Sequence, residues 1–150
     1  MAWPDEAACA ACACCLARHE ALHDAFVELR GPLGAGKTTF VRHLLRALGV
    51  TGRVKSPSYA VVEAYELPRP NQVLNIWHLD FYRFKSPREW EDAGLRDVFS
   101  APGLKLAEWP EKAQGVLPAA DLRIDIEPLD ADARQVQFTA FTPRGADLLE

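Results

Sequence analysis

The sequence has no surplus of basic charge. Seventeen lysine and arginine residues stand against 21 aspartate and glutamate residues, which leaves a formal net charge of −4 at pH 7 over 150 residues. A domain that holds RNA or DNA mainly through its phosphates carries a basic surplus. The composition therefore argues against strong stand-alone binding of nucleic acid.

The sequence also lacks a hydrophobic run long enough to cross a membrane. Its longest apolar run, residues 7–17, has about half the length that a spanning helix needs. The run follows Asp5 and Glu6 rather than basic residues, which is not typical of a secretory signal. Because 49% of the residues are hydrophobic and 25% are charged, we expect a single globular domain over residues 1–150, located in the cytoplasm.

Cysteine is absent after residue 15. All four cysteines lie in one short stretch, at Cys9, Cys12, Cys14 and Cys15. One hypothesis is a metal site with His19 and His23, since Cys15 and these histidines are one helical turn apart. However, zinc ligands usually come from separate segments, and one helix cannot wrap four neighbouring thiolates around an ion. The favoured interpretation is a helix face of alanine and free cysteine packed on the core.

Hydrophobic periodicity predicts that helices and strands alternate along the chain. The predicted helices cover residues 5–25 and 37–48, with a third that begins at Ser86 and ends at Gly94. The predicted strands cover residues 25–30, 59–67, 73–83 and 104–107, with two late strands around 122–126 and 136–138. The short turn after residue 67 predicts an antiparallel hairpin. The fold class is therefore α/β, with a mixed, mainly parallel sheet that contains an antiparallel hairpin and is flanked by helices.

The strongest chemical signal is the segment Gly31–Thr38, here called the glycine-rich loop. It fits G-x-x-x-x-G-K-[ST] without a mismatch, between a predicted strand and a predicted helix. Glycines allow a backbone tight enough to wrap phosphates with N–H groups, and the helix N-terminus adds positive potential. Lys37 supplies a full charge, and Thr38 offers a hydroxyl to Mg²⁺. The loop predicts a P-loop nucleotide site, and ATP is the default because neither N-K-x-D nor D-x-x-G is present.

Two acidic residues at the ends of predicted strands are candidate partners of this loop. Glu108 ends the run Leu104–Ala107, which is where a Walker-B carboxylate lies. Asp80 is two residues away from both His78 and Tyr82, so the three polar side chains are expected on one face of a strand. That face is either functional or simply exposed to solvent, and spacing alone leaves both open.

Taken together, these segments resemble the TsaE (YjeE) family of small bacterial ATPases. The matching motifs are the glycine-rich loop with Thr39-Phe40, Lys55-Ser-Pro-Ser-Tyr59, His78-x-Asp80-x-Tyr82-Arg83, Gly94-Leu-Arg-Asp97 and Glu108-Trp109-Pro110. The resemblance covers about residues 3–145. It implies a small P-loop fold that binds ATP or ADP with Mg²⁺ and hydrolyses ATP slowly when alone.

The resemblance also implies a biological setting. TsaE proteins act with the TsaD–TsaB pair, in which TsaD transfers a threonylcarbamoyl group, made by TsaC, to an adenosine of tRNAs that read ANN codons. The ATPase cycle of TsaE is thought to reset that complex. The tRNA is then contacted only indirectly, which agrees with the net negative charge.

Site roles follow from the resemblance, residue by residue. Asp80, Lys37 and Glu108 are implied as catalytic, with Asp80 orienting or activating water. Thr38 and Glu108 are implied as the Mg²⁺ ligands. The implied nucleotide-binding residues are Gly34, Ala35, Gly36, Lys37, Thr38, Thr39 and Trp109. Residues 55–59 are implied as a switch-like loop, and the base is expected against the N-terminal segment and residues 130–134.

The sequence departs from the family pattern at four places. Pro32 stands where many members have an acidic residue, and Ser58 replaces a common threonine while keeping the hydroxyl. Most of a leading strand is missing at the N-terminus, and the cysteine cluster is not a family feature. None of these departures changes Lys37, Thr38 or the two acidic candidates.

Two other functions remain open from sequence. A small-molecule P-loop kinase would need an acceptor pocket and an arginine lid, for which Arg83, Arg88 and Arg96 are candidates, although no lid-like insertion is visible. A nucleotide-sensing interaction module would bind ATP without useful turnover.

Overall fold

A computed structural model describes residues 1–54, 57, 62–85 and 94–150 of the chain. Its described part forms a seven-stranded sheet with the spatial order β1-β7-β6-β2-β5-β4-β3. The strands are β1 (Ala2–Trp3), β2 (Phe26–Arg30), β3 (Val62–Pro68), β4 (Val73–Asp80), β5 (Leu104–Glu108), β6 (Leu122–Pro128) and β7 (Arg134–Ala140).

The centre of the sheet is parallel and its edges are antiparallel. Strands β6, β2, β5 and β4 run parallel to one another, whereas β3 pairs antiparallel with β4, and β7 with both β6 and β1. The predicted hairpin is the β3–β4 pair. The predicted α/β class with a mixed sheet and an antiparallel hairpin is confirmed.

Helices cover the sheet. They are α1 (Glu6–Ala17), α2 (Lys37–Leu48), α3 (Leu95–Ser100) and α4 (Pro143–Asp147), with short 3-10 helices η1 (Glu20–Asp24) and η2 (Pro110–Ala113). Within the described ranges, no helix is long and apolar enough to cross a membrane.

The buried apolar side chains form two clusters. The larger one joins α1 and α2 to the sheet, and it includes Leu16, Val27, Leu29, Phe40, Leu44 and Leu106. The smaller one joins α3 and η2 to the sheet, and it includes Phe26, Leu79, Leu95, Ala107 and Ala113. Neighbouring strand residues belong to different clusters because successive side chains point to opposite faces. Glu108, two residues after Leu106, therefore points to the face that α2 covers.

The predicted helix over residues 5–25 is wrong in its second half. α1 ends at Ala17, and His19 is already extended (φ −81°, ψ 123°) before η1 begins. The chain turns here because Leu22 and Ala25 must enter the core on the way into β2. The cysteine-lined face is only partly buried as well: Cys9 is in the core, whereas Cys14 and Cys15 are exposed.

Strand β4 ends earlier than predicted. It stops at Asp80 instead of Arg83, because Phe81 and Phe84 turn into the core and pack edge to face at 4.9 Å. Strand β1 and helices α3 and α4 were not predicted. Gly94 precedes α3, and the predicted helix from Ser86 falls on residues 86–93, outside the described part. The proposed switch loop, apart from Pro57, and the first residues of the predicted strand 59–67 also fall outside it.

Candidate functional site: a cavity at the carboxyl ends of the parallel strands

The predicted site residues line one cavity of about 430 Å³. It lies where β4 and β5 end and α2 begins, the usual location of ligand sites in parallel sheets. Every nucleotide-binding and catalytic residue predicted from sequence is on its wall: Gly34, Ala35, Gly36, Lys37, Thr38, Thr39, Asp80, Glu108 and Trp109. The remaining lining residues are Leu33, Tyr82, Arg83 and Arg134.

The glycine-rich loop joins the central strand β2 to α2, and two of its positions, 31 and 36, favour glycine for different reasons. A Cβ atom at Gly31 would lie 2.3 Å from the carbonyl oxygen of Ile126, so no other residue fits there. Gly36 has a φ of +106°, which L side chains rarely adopt. α2 starts immediately after it at Lys37. The positive end of the α2 dipole therefore lies at the cavity wall.

Lys37 is a buried cation held between an aromatic ring and the loop backbone. Its Nζ atom donates to the carbonyl oxygen of Gly31 and lies 3.6 Å from the centre of the Trp109 ring. Burial lowers the pKa of Lys37, and the negative charges of Glu108, Glu111 and Asp80 act in the opposite direction. A desolvated ammonium group in this position attracts an anion more strongly than one in open water would.

Glu108 is the centre of a buried hydrogen-bond group. The Thr38 hydroxyl donates to it, with Oγ1 at 2.9 Å and 3.1 Å from its two carboxylate oxygens. The Nε2 atom of His78, a fully buried residue, lies 2.5 Å from Glu108 Oε2. His78 Nδ1 has no partner among the described residues. The polar face of β4 is therefore not simply a solvent-exposed face, because its histidine fixes the carboxylate of the next strand.

Asp80 lies beside this group on the neighbouring strand. It is the register partner of Glu108 across β4 and β5, and its Oδ1 accepts the Tyr82 N–H at 2.9 Å. Burial raises the pKa of Asp80, and the Tyr82 hydrogen bond opposes that rise. Tyr82 itself is in a turn and 43% exposed, so it does not continue the strand face as predicted.

Trp109 is both a chain corner and a wall of the site. Its backbone is left-handed (φ +57°), and η2 starts directly after it at Pro110. This turn places the indole over Lys37 and 4.9 Å from the ring of Tyr82. A non-glycine residue held in this backbone region is strained, and such strain is common at functional sites.

A second cavity of about 350 Å³ adjoins the first. It is lined by Trp3, Asp5, Glu6, Cys9, Ala35, Gly36, Thr39, Asp132 and Arg134. The N-terminal segment and the loop before β7 are thus brought together next to the glycine-rich loop. These are the two segments expected against the nucleotide base, and that role stays a prediction.

Sequence reasoning placed His78 on a polar strand face with Asp80, but it assigned neither His78 nor Arg134 a role in the site. His78 had a usable signal, because it shares a strand face with Asp80 and polar groups on a buried face need partners. Arg134 had none beyond its place in the loop expected near the base. It reaches the site only because β7 folds back along β6, after which its Nε donates to Ala35 O at 2.7 Å.

The cysteine cluster does not form a metal site in this structure. All four cysteines are free, and in the described ranges no group of three or more His, Cys, Asp and Glu residues could hold a metal ion. The ring nitrogens of His19 lie 3.2 Å and 3.1 Å from the carbonyl oxygens of Cys15 and Glu150. They are thus directed at backbone groups.

The fold and the cavity define an α/β protein with a glycine-rich, cationic site at the carboxyl end of a central parallel sheet. A more specific assignment comes from comparison with known proteins. The model of the family described as "Threonylcarbamoyl adenosine biosynthesis protein TsaE" matches residues 3–136. The chain belongs to the TsaE family, whose role is in the biosynthesis of threonylcarbamoyladenosine in tRNA.

Individual relatives agree with this family. The chain is 43% identical to the tRNA threonylcarbamoyladenosine biosynthesis protein TsaE of Haemophilus influenzae, over 82% of this chain and 75% of that protein. It is 38% identical to the Bacillus subtilis protein of the same name, over 83% and 75% of the two chains. The crystal structure of Bacillus subtilis YdiB superposes with a TM-score of 0.77 at 29% identity, covering 99% of this chain and 89% of that one.

Proposed function

We propose that this TsaE-family protein is a Mg²⁺-dependent ATPase that supports tRNA threonylcarbamoyladenosine formation. The observation that carries the proposal is the pairing of Thr38 with Glu108 at the start of α2, beside Lys37 and Asp80 in one cavity. A phosphoryl-transfer site needs these same parts: a phosphate cradle, a cation, a metal position and a group to orient the nucleophile.

Lys37 and the glycine-rich loop bind the phosphate chain in this proposal. The loop supplies backbone N–H groups between Gly34 and Thr39, apart from that of Ala35, which is bonded to Pro32 O. Helix α2 supplies its positive end. In the structure the Lys37 ammonium group points back to the loop and donates a hydrogen bond to Gly31 O. A phosphate would take the place of that carbonyl as its partner. Trp109 then limits where the ammonium group can go and keeps water off it.

The donors fit Mg²⁺. Thr38 Oγ1 and the two Glu108 oxygens are hard oxygen ligands within 3.1 Å of one another, and Mg²⁺ is typically held by one or two such groups plus phosphate and water. When bound, the ion would neutralise charge on the phosphates. His78 keeps the Glu108 carboxylate in one orientation, so little rearrangement is needed beyond rotation of the Thr38 hydroxyl.

Asp80 is the group that orients or activates water. It lies on the cavity wall next to Glu108, and it is a carboxylate whose pKa is raised by burial, which suits transfer of a proton.

The arginines near the site bear on the alternative of a small-molecule kinase. No described arginine other than Arg83 and Arg134 lines this cavity. Of the candidate lid arginines of a kinase, Arg96 is exposed on α3, and Arg88 lies outside the described residues.

The partner in this proposal is the TsaD–TsaB pair. Membership in the TsaE family supports it, and the net charge of −4 agrees with a subunit that touches tRNA only through that complex. Turnover is slow for the protein alone and rises with the pair, whose cycle it resets. The location that matches such a role is the cytoplasm.

The test is ATP hydrolysis by the purified protein with Mg²⁺, alone and with TsaD–TsaB. Slow turnover that increases with the pair and disappears in Glu108→Gln is the expected result. The matched control is Glu127→Gln, an exposed glutamate on β6. Turnover that ignores the pair would remove the coupling, turnover only with an added acceptor would indicate a kinase, and nucleotide binding without turnover in any condition would indicate a sensor.

A further inference from the structure

Arg134 forms hydrogen bonds with carbonyl groups of the glycine-rich loop. It is the first residue of β7, far from the loop in sequence, yet its Nε donates to Ala35 O at 2.7 Å and an Nη atom lies 3.5 Å from Gly34 O. A third bond, from Nη1 to Ala133 O at 2.9 Å, fixes the guanidinium to the residue just before β7. The side chain therefore links the loop to β7, the second strand from the edge of the sheet.

The bond from Arg134 to Ala35 O also sets the direction of the Gly36 N–H, which belongs to the same peptide group. In a planar trans peptide, the C=O and the following N–H point in opposite directions. Holding the Ala35 carbonyl toward Arg134 therefore turns the Gly36 N–H away from it. Gly36 has no Cβ atom and a φ of +106°, and glycine adopts positive and negative φ with similar ease. The backbone of the loop alone therefore does little to fix the orientation of this peptide.

The neighbouring peptide is fixed differently. The Ala35 N–H donates to Pro32 O at 3.1 Å, which closes a turn inside the loop. Phe40 N–H donates to Gly36 O at 2.9 Å, as part of the first turn of α2. The Ala35–Gly36 peptide lies between these two bonds, and Arg134 is the side chain that bonds its oxygen.

We propose that Arg134 is a positioning residue for phosphate binding: by holding the carbonyl groups of Gly34 and Ala35, it sets the direction of the loop N–H groups. The inference rests on the proposed nucleotide site and deepens it. Its effect should be on nucleotide affinity and KM, and not on kcat, because the N–H groups contact the phosphates before and during the reaction alike.

Two substitutions separate hydrogen bonding from charge. In Arg134→Gln, the side-chain amide nitrogen is as many bonds from Cα as the arginine Nε, so the donor to Ala35 O is kept and the charge is lost. The methionine side chain in Arg134→Met is as long as that of glutamine, but it has neither the hydrogen-bond donor nor the charge. If alignment is what matters, Met should weaken ADP binding about tenfold and Gln clearly less. Arg134→Lys keeps the charge and a donating group but loses the planar fork, so it tests whether the fork geometry matters.

The measurement is the dissociation constant of ADP with Mg²⁺ by titration calorimetry, with KM and kcat for ATP and thermal melting for each variant. The matched control is Arg123→Met, on β6, whose guanidinium lies 4.9 Å from the Phe141 ring and outside both cavities. An unchanged affinity in Arg134→Met, or losses that are equally large in Gln and Met, would overturn the inference.

The outcomes also separate this inference from the proposed function. If the wild-type protein binds no nucleotide, the proposed function fails and the inference fails with it. If the wild type binds and Arg134→Met binds equally well, only the inference fails. If Arg134→Met does not fold, Arg134→Gln decides: an ADP affinity within a few-fold of the wild type supports alignment, and a loss of about tenfold or more contradicts it.

Discussion

Helices α1 and α2 are both twelve residues long and pack into the same core cluster, yet they begin in opposite ways. The Asp5 side chain caps α1 by accepting the Ala8 N–H at 2.9 Å. α2 starts after Gly36, which has no side chain to accept a bond. A helix start that is satisfied by its own side chain serves the fold, whereas an open start inside a cavity is available to an anion.

The same contrast appears in what the helices bury. α1 buries small or apolar side chains, namely Cys9, Ala13 and Leu16. α2 buries an apolar stripe and, at its first position, the charged Lys37. Burying a charge costs free energy unless a partner is present. The Trp109 ring and the Gly31 carbonyl are the partners of Lys37 at the open start of α2. In the proposed function, a ligand phosphate would be a further partner and would offset this cost.

The largest effect that this comparison predicts is for Lys37→Ala. We expect a loss of ADP affinity of about 100-fold or more, since the substitution removes the buried cation of the site. Stability should not fall, because a desolvated charge is removed with it. Titration calorimetry and thermal melting measure the two quantities. The control is Arg42→Ala, on the exposed side of the same helix. A loss of stability without a loss of ADP affinity in Lys37→Ala would show that the start of α2 serves the fold rather than a ligand.

Gly36→Ala should have an intermediate effect. A Cβ atom at Gly36 meets only Arg134 Nε, at 3.7 Å, so the cost is backbone strain at φ +106°, on the order of 1–3 kcal/mol. Relief of that strain would distort the loop and weaken ADP binding. Gly49→Ala at the other end of α2 (φ +115°) carries the same strain far from the cavity. It should destabilise the protein equally while leaving the dissociation constant unchanged, and equal affinities for both variants would contradict the role of the open start.

Asp5→Ala tests the capped helix. Loss of the bond to Ala8 N should lower the free energy of unfolding by about 1 kcal/mol. Asp5 lines the second cavity and not the first, so the effect on phosphate contacts should be small. Urea denaturation gives the stability, and Asp5→Asn, which retains a capping oxygen, should recover most of it. A larger change in ADP affinity than in stability would show that α1 also serves the ligand.

The smallest effect concerns the thiols of α1. Burial raises the pKa of Cys9 to about 12, and nearby Cys12 and Glu6 add to the rise. Because the thiolate is the reactive form, only about one Cys9 in 10,000 is ionised at pH 8, and this fraction rises about tenfold per pH unit up to about pH 11. Iodoacetamide labelling read by mass spectrometry should modify the exposed Cys14 and Cys15 first. Early labelling of Cys9 in the native protein would show that α1 opens, and denatured protein provides full labelling for reference.

Several local features followed from residue order alone. The segment from β2 through the glycine-rich loop to α2 was predictable almost to the residue, because strand, turn and helix signals follow one another without interruption. The same holds for the start of β4 and for the end of β5 at Glu108. The break after Ala17 and the early end of β4 were not predictable, because both depend on which side chains the core accepts.

The sequence by itself determined the α/β class, the glycine-rich loop and the two acidic candidates, since each is a matter of short-range spacing. Tertiary structure alone decided that His78 lies 2.5 Å from Glu108, and that Arg134 bonds to Ala35 across 99 residues. The reason is physical: strand order and register set which distant residues meet, and they are fixed by burial over the whole sheet rather than by any local pattern.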